Sequence, residues 1–454
     1  MLLDLLYHRI TKDAQIHIDE GRNQWLTNQL HAGLATLFGA GGTFTGSDES
    51  FSGCILGLAR LAQSPVGSPL TKHWSTPLLV SRAALGQISP AAAAARLGVN
   101  LLFETLPDGS SPLAGLSFST PTDENGSVPV LSQHCRLRSR YFGTTQGALR
   151  WTCQSRSVKM SLDNLPSVEI PLPLQRETKN SELIFDSYPI APRWDLPIVE
   201  DGAAALLLDR SMVPASNSDK DTSALSLADS LEEAHSLLGT FWPEVIGWIQ
   251  AMNPAFVALP SAGSPKTHYS GSFGPGIPLY LSRVSNSWFH VEDLVHEVQH
   301  QRFNLFLDEA DYFPKWHEAE EKFVSPFRLD LRPMRGLHLG LHAFLAVNEL
   351  RLRALGRVTE DVFSVYDLLK THRQNVFCYQ TATHFESLSE DGRRYYDRVG
   401  DLLCSQGKII ESLVSPEVDA AVAADLKRHL QAAATAGHAP NRHLLEGPVA
   451  NALN

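Results

Sequence analysis

Residues 287–307, SWFHVEDLVHEVQHQRFNLFL, leave the chain few choices other than a helix with one apolar side. Val291, Leu294, Val295 and Val298 fall at i, i+3, i+4 and i+7, the spacing of a buried helical stripe. Asn286 or Ser287 offers a cap at its start. Off the stripe lie His296 and His300, with Glu297 between them and Asp293 one turn earlier. Side chains at i and i+4 stand one above the other on a helix. The two imidazoles of this H-E-x-x-H sequence can therefore take adjacent corners of one metal's shell, with Glu297 beside the open positions. Chance alone produces such a pattern on the order of a few times in a hundred His-rich sequences. An ordinary core helix, however, has little use for these four polar groups along one side.

Two histidines leave a metal site incomplete, and a third ligand usually comes from a later helix or loop. The segment MRGLHLGLHAFLAVNELRL places His338, His342, Leu345 and Glu349 at i, i+4, i+7 and i+11, on one face. Gly336 and Gly340 let this helix approach another closely, at some cost in helix propensity. If Glu349 closes the shell, the site is the two-histidine, one-glutamate type of many peptidases, in which zinc activates water and Glu297 is the base. If His342 closes it, three neutral imidazoles suit either zinc-hydroxide or an iron(II) that takes an oxo-acid and dioxygen. Spacing does not choose, and His338 and His342 each have the alternative of a satisfied core histidine.

With 454 residues the chain can bury two to three domains, or one with a large elaboration. A hydrophobic fraction of 43% and a charged fraction of 19% are those of a globular protein. A net charge of -11 without a basic run argues against nucleic acid as a partner. Cys54, Cys135, Cys153, Cys378 and Cys404 are scattered and form no C-x-x-C pair, which points to a reducing compartment and no thiolate metal site. The first residues, MLLDLLYHRITKDAQ, are broken by Asp4 and His8 and do not read as a signal peptide. No run reaches the roughly 18–20 apolar residues of a membrane span, so a cytoplasmic protein without a membrane partner is expected.

In chain order, residues 1–100 read as mostly helical, with periodic segments at Trp25–Phe38, Phe51–Ala62 and Pro90–Leu97. The glycines of GAGGTFTGSDES have no G-K-[ST] after them and are a loop, not a phosphate cradle. From Asn100 to Leu208 short β-prone runs, LLFETL, LAGLSFST, VPVL and ALRWTCQS, suggest a meander or small sheet. Pro214–Ser223 reads as a polar linker and Leu225–Met252 as one long amphipathic helix. Ala255–Leu259 and Ile277–Ser282 are strand-like, and Gly276–Ser282 is either a core strand or an edge that could pair with an extended peptide. His317 and Glu318 read as a solvated helix start, and helices are expected near 334–355, 359–371, 392–413 and 416–433. The fold class expected is α+β and mostly helical, with a zincin-like catalytic part in which the H-E-x-x-H helix lies beside a small sheet. Its divisions are 1–220, a helical and β-rich region; 221–435, the metal-binding catalytic domain; and 436–454, a loose tail.

HVEDLVHEVQHQRFNLFLD, followed after a polar crossing by LRPMRGLHLGLHAFLAV, resembles the HExxH-type peptide-modifying proteins of ribosomally made peptide pathways. Those proteins are described as iron(II)- and 2-oxoglutarate-dependent peptide β-hydroxylases. The likeness lies in the H-E-x-Q-H form, the upstream V-E-x-L, the Leu and Asp of the exit turn and the Arg-Pro-x-x-Gly-Leu start of the next helix. It covers roughly residues 254–360 well. The resemblance implies a peptide substrate hydroxylated at a side-chain β-carbon while 2-oxoglutarate is decarboxylated to succinate. It makes His296 and His300 iron ligands and Glu297 the motif glutamate. Arg332 becomes the 2-oxoglutarate-binding residue, with Arg335 and Arg302 as rivals, since a guanidinium grips a carboxylate in bidentate fashion. This sequence departs from the family pattern between Gly336 and Phe344, where His342 is taken as third ligand over His338. A zinc metallopeptidase and a non-enzymatic peptide-binding protein stand as the alternatives.

Overall fold

A computed structural model describes residues 12–38, 49–62, 70, 73, 75–84, 88–104, 110–121, 127–130, 135–139, 147–162, 165, 167–174, 183–199, 226–259, 269–272, 274, 276–307, 321–359, 362–385, 388–435 and 441. The chain opens with helices α1 (Lys12–Phe38), α2 (Glu49–Ala62), α3 (Ser75–Ala84) and α4 (Pro90–Leu101). Strands follow: β1 (Ser117–Pro121), β2 (Ser127–Val130), β3 (Cys135–Ser139), β4 (Ala148–Cys153), β5 (Ser157–Leu162), β6 (Val168–Pro171), β7 (Leu183–Ser187), β8 (Ile190–Ala191) and β9 (Leu196–Val199). Next come α5 (Leu227–Phe241), α6 (Pro243–Met252), β10 (Phe256–Leu259), β11 (Ser270–Gly271), β12 (Leu279–Ser282) and α7 (Ser287–Leu307). The chain continues through β13 (Lys322–Phe323), β14 (Arg332–Pro333), α8 (Met334–Ala354), α9 (Val365–Phe385), α10 (Glu390–Glu411) and α11 (Pro416–Thr435). The result is an α+β protein dominated by helix.

The sheet that positions the site has five strands in the order β11-β12-β10-β9-β8. Its middle is parallel, β10 pairing with both β12 and β9, while β11 and β8 run antiparallel at the two edges. All four residues of β12 are buried, as expected of a strand covered on both faces. Alternation along the strands assigns the faces. Phe256, Leu279, Leu281 and Ile198 join a core shared with α5 to α10, and Val257, Leu259, Tyr280 and Val199 join a core shared with α1 to α4 and the β-rich region. Each such side chain contributes about 1.5–3 kcal/mol relative to exposure. The β-rich region itself forms two further antiparallel sheets, β1-β4-β5-β6 and β2-β3-β7.

Several expectations shift. The helix expected over Leu225–Met252 is two helices, because Pro243 lacks an N–H and starts the second, while Trp242 before it takes φ -155° and ψ 69°. The run LLFETL begins as the end of α4, and only Ser117–Pro121 of the next run is strand. The helix expected from Thr359 starts at Val365, where Ser364 and Asp367 exchange capping hydrogen bonds. Leu279–Ser282 is interior, and the outer edge on that side is Ser270–Gly271. Strands β8 and β9 lie before the expected division at residue 220 yet complete the sheet beside α7. Pro214–Ser223 and the His317-Glu318 pair lie outside the described residues. Of the expected loose tail only Asn441 is described, and it is fully buried, accepting from Val324 N at 2.9 Å and donating to Val324 O at 3.2 Å. No helix among the described residues is long and apolar enough to cross a membrane.

Candidate metal centre

Helix α7 forms where its pattern requires. Asn286 Oδ1 accepts from Trp288 N at 2.9 Å, and the stripe Val291, Leu294, Val295, Val298 is completely buried. Its third anchor is electrostatic. Arg351 of α8 grips Glu292 with Nε to Oε1 and Nη2 to Oε2, both at 2.7 Å, and reaches Thr371 of α9 at 3.0 Å through Nη1. Such a planar fork fixes the two helices in register.

On this scaffold the His296 and His300 rings stand with centroids 4.4 Å apart, edge to face. Phe344 of α8 lies edge-on to His296 at 4.6 Å and is itself stacked on Phe327 at 4.3 Å. Burial, the neighbouring His300 and Arg328 hold His296 well below the usual histidine range. Burial and Arg328 bring His300 down to about 4. Both rings are therefore neutral at pH 7, the form that ligates a metal. His300 Nδ1 is buried and has no hydrogen-bond partner among the described residues.

Glu297 is only 4% exposed, and both its oxygens are engaged. Ser270 Oγ donates to Oε1 and Ser272 Oγ to Oε2, each at 2.8 Å, so the edge strand β11 and the residue just after it seat the carboxylate. Burial lifts Glu297 to about 7 against the pull of the two hydroxyls, with Asp293 adding to the rise. The glycine-rich segment behind these serines rests on α1. A Cβ at Gly274 would meet Trp25 at 2.5 Å, and Gly276, at φ +78°, lies against Arg22. Arg22 also donates to Ala251 O at 3.1 Å.

On α8, His342 Nδ1 lies 3.2 Å from the Tyr395 hydroxyl and His338 Nδ1 is bonded to Tyr396, both tyrosines on α10. His342 is 1% exposed, its ring 5.0 Å from Phe303, and its Nε2 has no hydrogen-bond partner among the described residues. Burial, then Arg302 and His300, keep it neutral. Glu349 is occupied elsewhere, accepting from Arg353 Nε at 3.1 Å and Gln406 Nε2 at 3.3 Å. Among the described residues no group of three His, Cys, Asp or Glu side chains is arranged to hold a metal ion. The structure brings His296 and His300 together ring to ring, and His300 also acts electrostatically on His342 of α8.

The chain matches no protein-family model and no curated protein. Arg332 pairs with Asp330 at 2.8 Å, and Arg335 donates to Asn304 at 2.9 Å. The cation whose charge acts on His296, Glu297 and His300 together is Arg328, an exposed residue that the sequence pattern does not single out. Its loop is fastened from afar: Val324 by Asn441, Ser325 O by His429 at 3.1 Å, and Pro326 O by Gln374 at 2.6 Å. Nothing local in the sequence signals that placement. His290, on the same helix, shows the other fate of a histidine, held between Ser230 Oγ at 2.7 Å and Ser282 O at 2.8 Å as a core residue.

Proposed function

We propose that this chain is an iron(II)- and 2-oxoglutarate-dependent dioxygenase that hydroxylates the β-carbon of a side chain in a peptide, in the maturation of a ribosomally made product. The observation that carries the reading is the seating of Glu297. In a peptidase that carboxylate takes a proton from metal-bound water, and here both of its oxygens already accept from serines. A positioned, engaged glutamate beside two neutral imidazoles suits a site where the motif residue orients and does not act as base. The occupation of Glu349 by Arg353 and Gln406 also weighs against the two-histidine, one-glutamate zinc shell.

His296 and His300 fit two corners of a metal shell and would hold the iron, with His342 proposed as the third ligand. Bound iron(II) would activate dioxygen, the oxidant, so that peptide C–H, dioxygen and 2-oxoglutarate become peptide C–OH, succinate and carbon dioxide. The chain's own residues do the rest. Tyr395 orients His342, Ser270 and Ser272 orient Glu297, and Phe344 and Phe327 wall His296 with apolar rings. Arg332 remains a proposed grip on the 2-oxoglutarate carboxylate, and Arg328, whose charge acts on both motif histidines, joins it as a second candidate. A zincin-like arrangement, with the motif helix beside a sheet whose outermost strand runs antiparallel, would offer Ser270–Gly271 as the peptide-facing edge.

The test is incubation of the iron-loaded protein with 2-oxoglutarate and the precursor peptide encoded beside its gene. A gain of one oxygen mass is expected, with turnover kept within a few-fold in Glu297→Gln, which retains partners for both serines. Cleavage of the peptide, abolished by Glu297→Gln, would establish the peptidase instead.

A further inference from the structure

Arg302 leaves α7 on the side away from its histidines. At about 100° per residue it stands some 160° round the helix from His300. It is 1% exposed, and its guanidinium lies 4.0 Å over the ring of Trp248 on α6. Nη1 donates to Gln299 Oε1 at 3.1 Å, but Nε and Nη2 have no hydrogen-bond partner among the described residues. Those two groups share one edge of the guanidinium, the side-on fork that takes both oxygens of a carboxylate. Gln299 Nε2 and Trp248 Nε1 are likewise buried and without a partner among the described residues, so the surroundings of the fork are rich in donors.

We propose that Arg302, together with Gln299 and Trp248, is a binding site for a small carboxylate, separate from the histidine face of α7. A charge sealed from water is costly unless it is paired, and an anion with two oxygens satisfies both the fork and the charge. Its ligand is compact because the residue is closed to solvent.

The experiment follows thermal unfolding of the full-length protein while potassium acetate replaces chloride at constant ionic strength, with a parallel phosphate series. A saturable rise of several degrees with acetate is expected in wild type. It is absent in Arg302→Met and retained in His296→Ala/His300→Ala. No saturable rise, an equal rise in Arg302→Met, or loss of the rise in the histidine variant each overturns the site, and a phosphate response larger than that to acetate overturns its assignment to carboxylate. Should Arg302→Met fail to fold, Gln299→Leu and calorimetric titration of acetate into wild type decide: saturable heat weakened by the substitution supports the site, and its absence refutes it.

Discussion

Removing the charge of Glu292 tests how the motif helix is held. Glu292→Gln keeps the side-chain shape but leaves Arg351, whose side chain is 14% exposed, without a counter-charge, and it sets an amide N–H against one of the guanidinium donors. Breaking a buried ion pair costs about 3–5 kcal/mol. Residual exposure of 14% and 17% at the two side chains allows some screening, which places the expected loss near about 3 kcal/mol. For a domain of about 200 residues that lowers the unfolding midpoint by roughly 6–12 °C. Arg351→Met should cost a similar amount, since it strands Glu292 with, among the described residues, only the Trp288 indole, which donates to it at 2.8 Å. The double variant Glu292→Gln/Arg351→Met removes both charges and should be more stable than either single change. The assay is thermal and urea unfolding of the four proteins. Single variants within about 0.5 kcal/mol of wild type, or a double variant whose loss equals the sum, would refute the clamp.

Other consequences are as direct. Tyr395→Phe removes the hydroxyl at His342 Nδ1 and should weaken iron binding about 10–100-fold while leaving the unfolding midpoint almost unchanged, measured by metal titration alongside a melt. Gly274→Ala drives a methyl into Trp25 and should destabilise by about 1–3 kcal/mol, an effect relieved when Trp25 is also made smaller. His372, lowered to about 4 by burial and by Arg373, is neutral when folded and protonated below 6.5 when unfolded. Its stabilising contribution is complete above pH 6.5 and is lost as pH falls toward 4, by up to about 3 kcal/mol. The difference in unfolding free energy between wild type and His372→Gln should narrow across that window, and a constant difference would remove His372 from the acid limb.

The parts of the fold legible in the sequence are those written locally. The stripe from Val291 to Val298 fixed α7 and which of its sides is buried, and Asn286 marked its start. Pro243 was equally visible, but an unbroken amphipathic pattern across it masked the break between α5 and α6. Strands β8 and β9 are too short to announce that they complete the sheet beside the motif. The histidines divide by environment and not by type: His290 finds Ser230 and Ser282, while His296, six positions on, finds His300 and Phe344. The arginines divide the same way. Arg332 is marked by its Arg-Pro context, whereas Arg328, whose charge acts on the motif, sits on a loop fastened by Asn441, His429 and Gln374. Such long-range ties have no periodicity to read.

The most direct measurement is anaerobic titration of the purified protein with iron(II) followed by 2-oxoglutarate, read by metal content and visible absorption. Stoichiometric iron and a weak visible charge-transfer band should be present in wild type and lost in His296→Ala and His300→Ala. Iron retained at full stoichiometry without either histidine, or no iron bound by a folded wild-type chain, would contradict a metal centre at this pair.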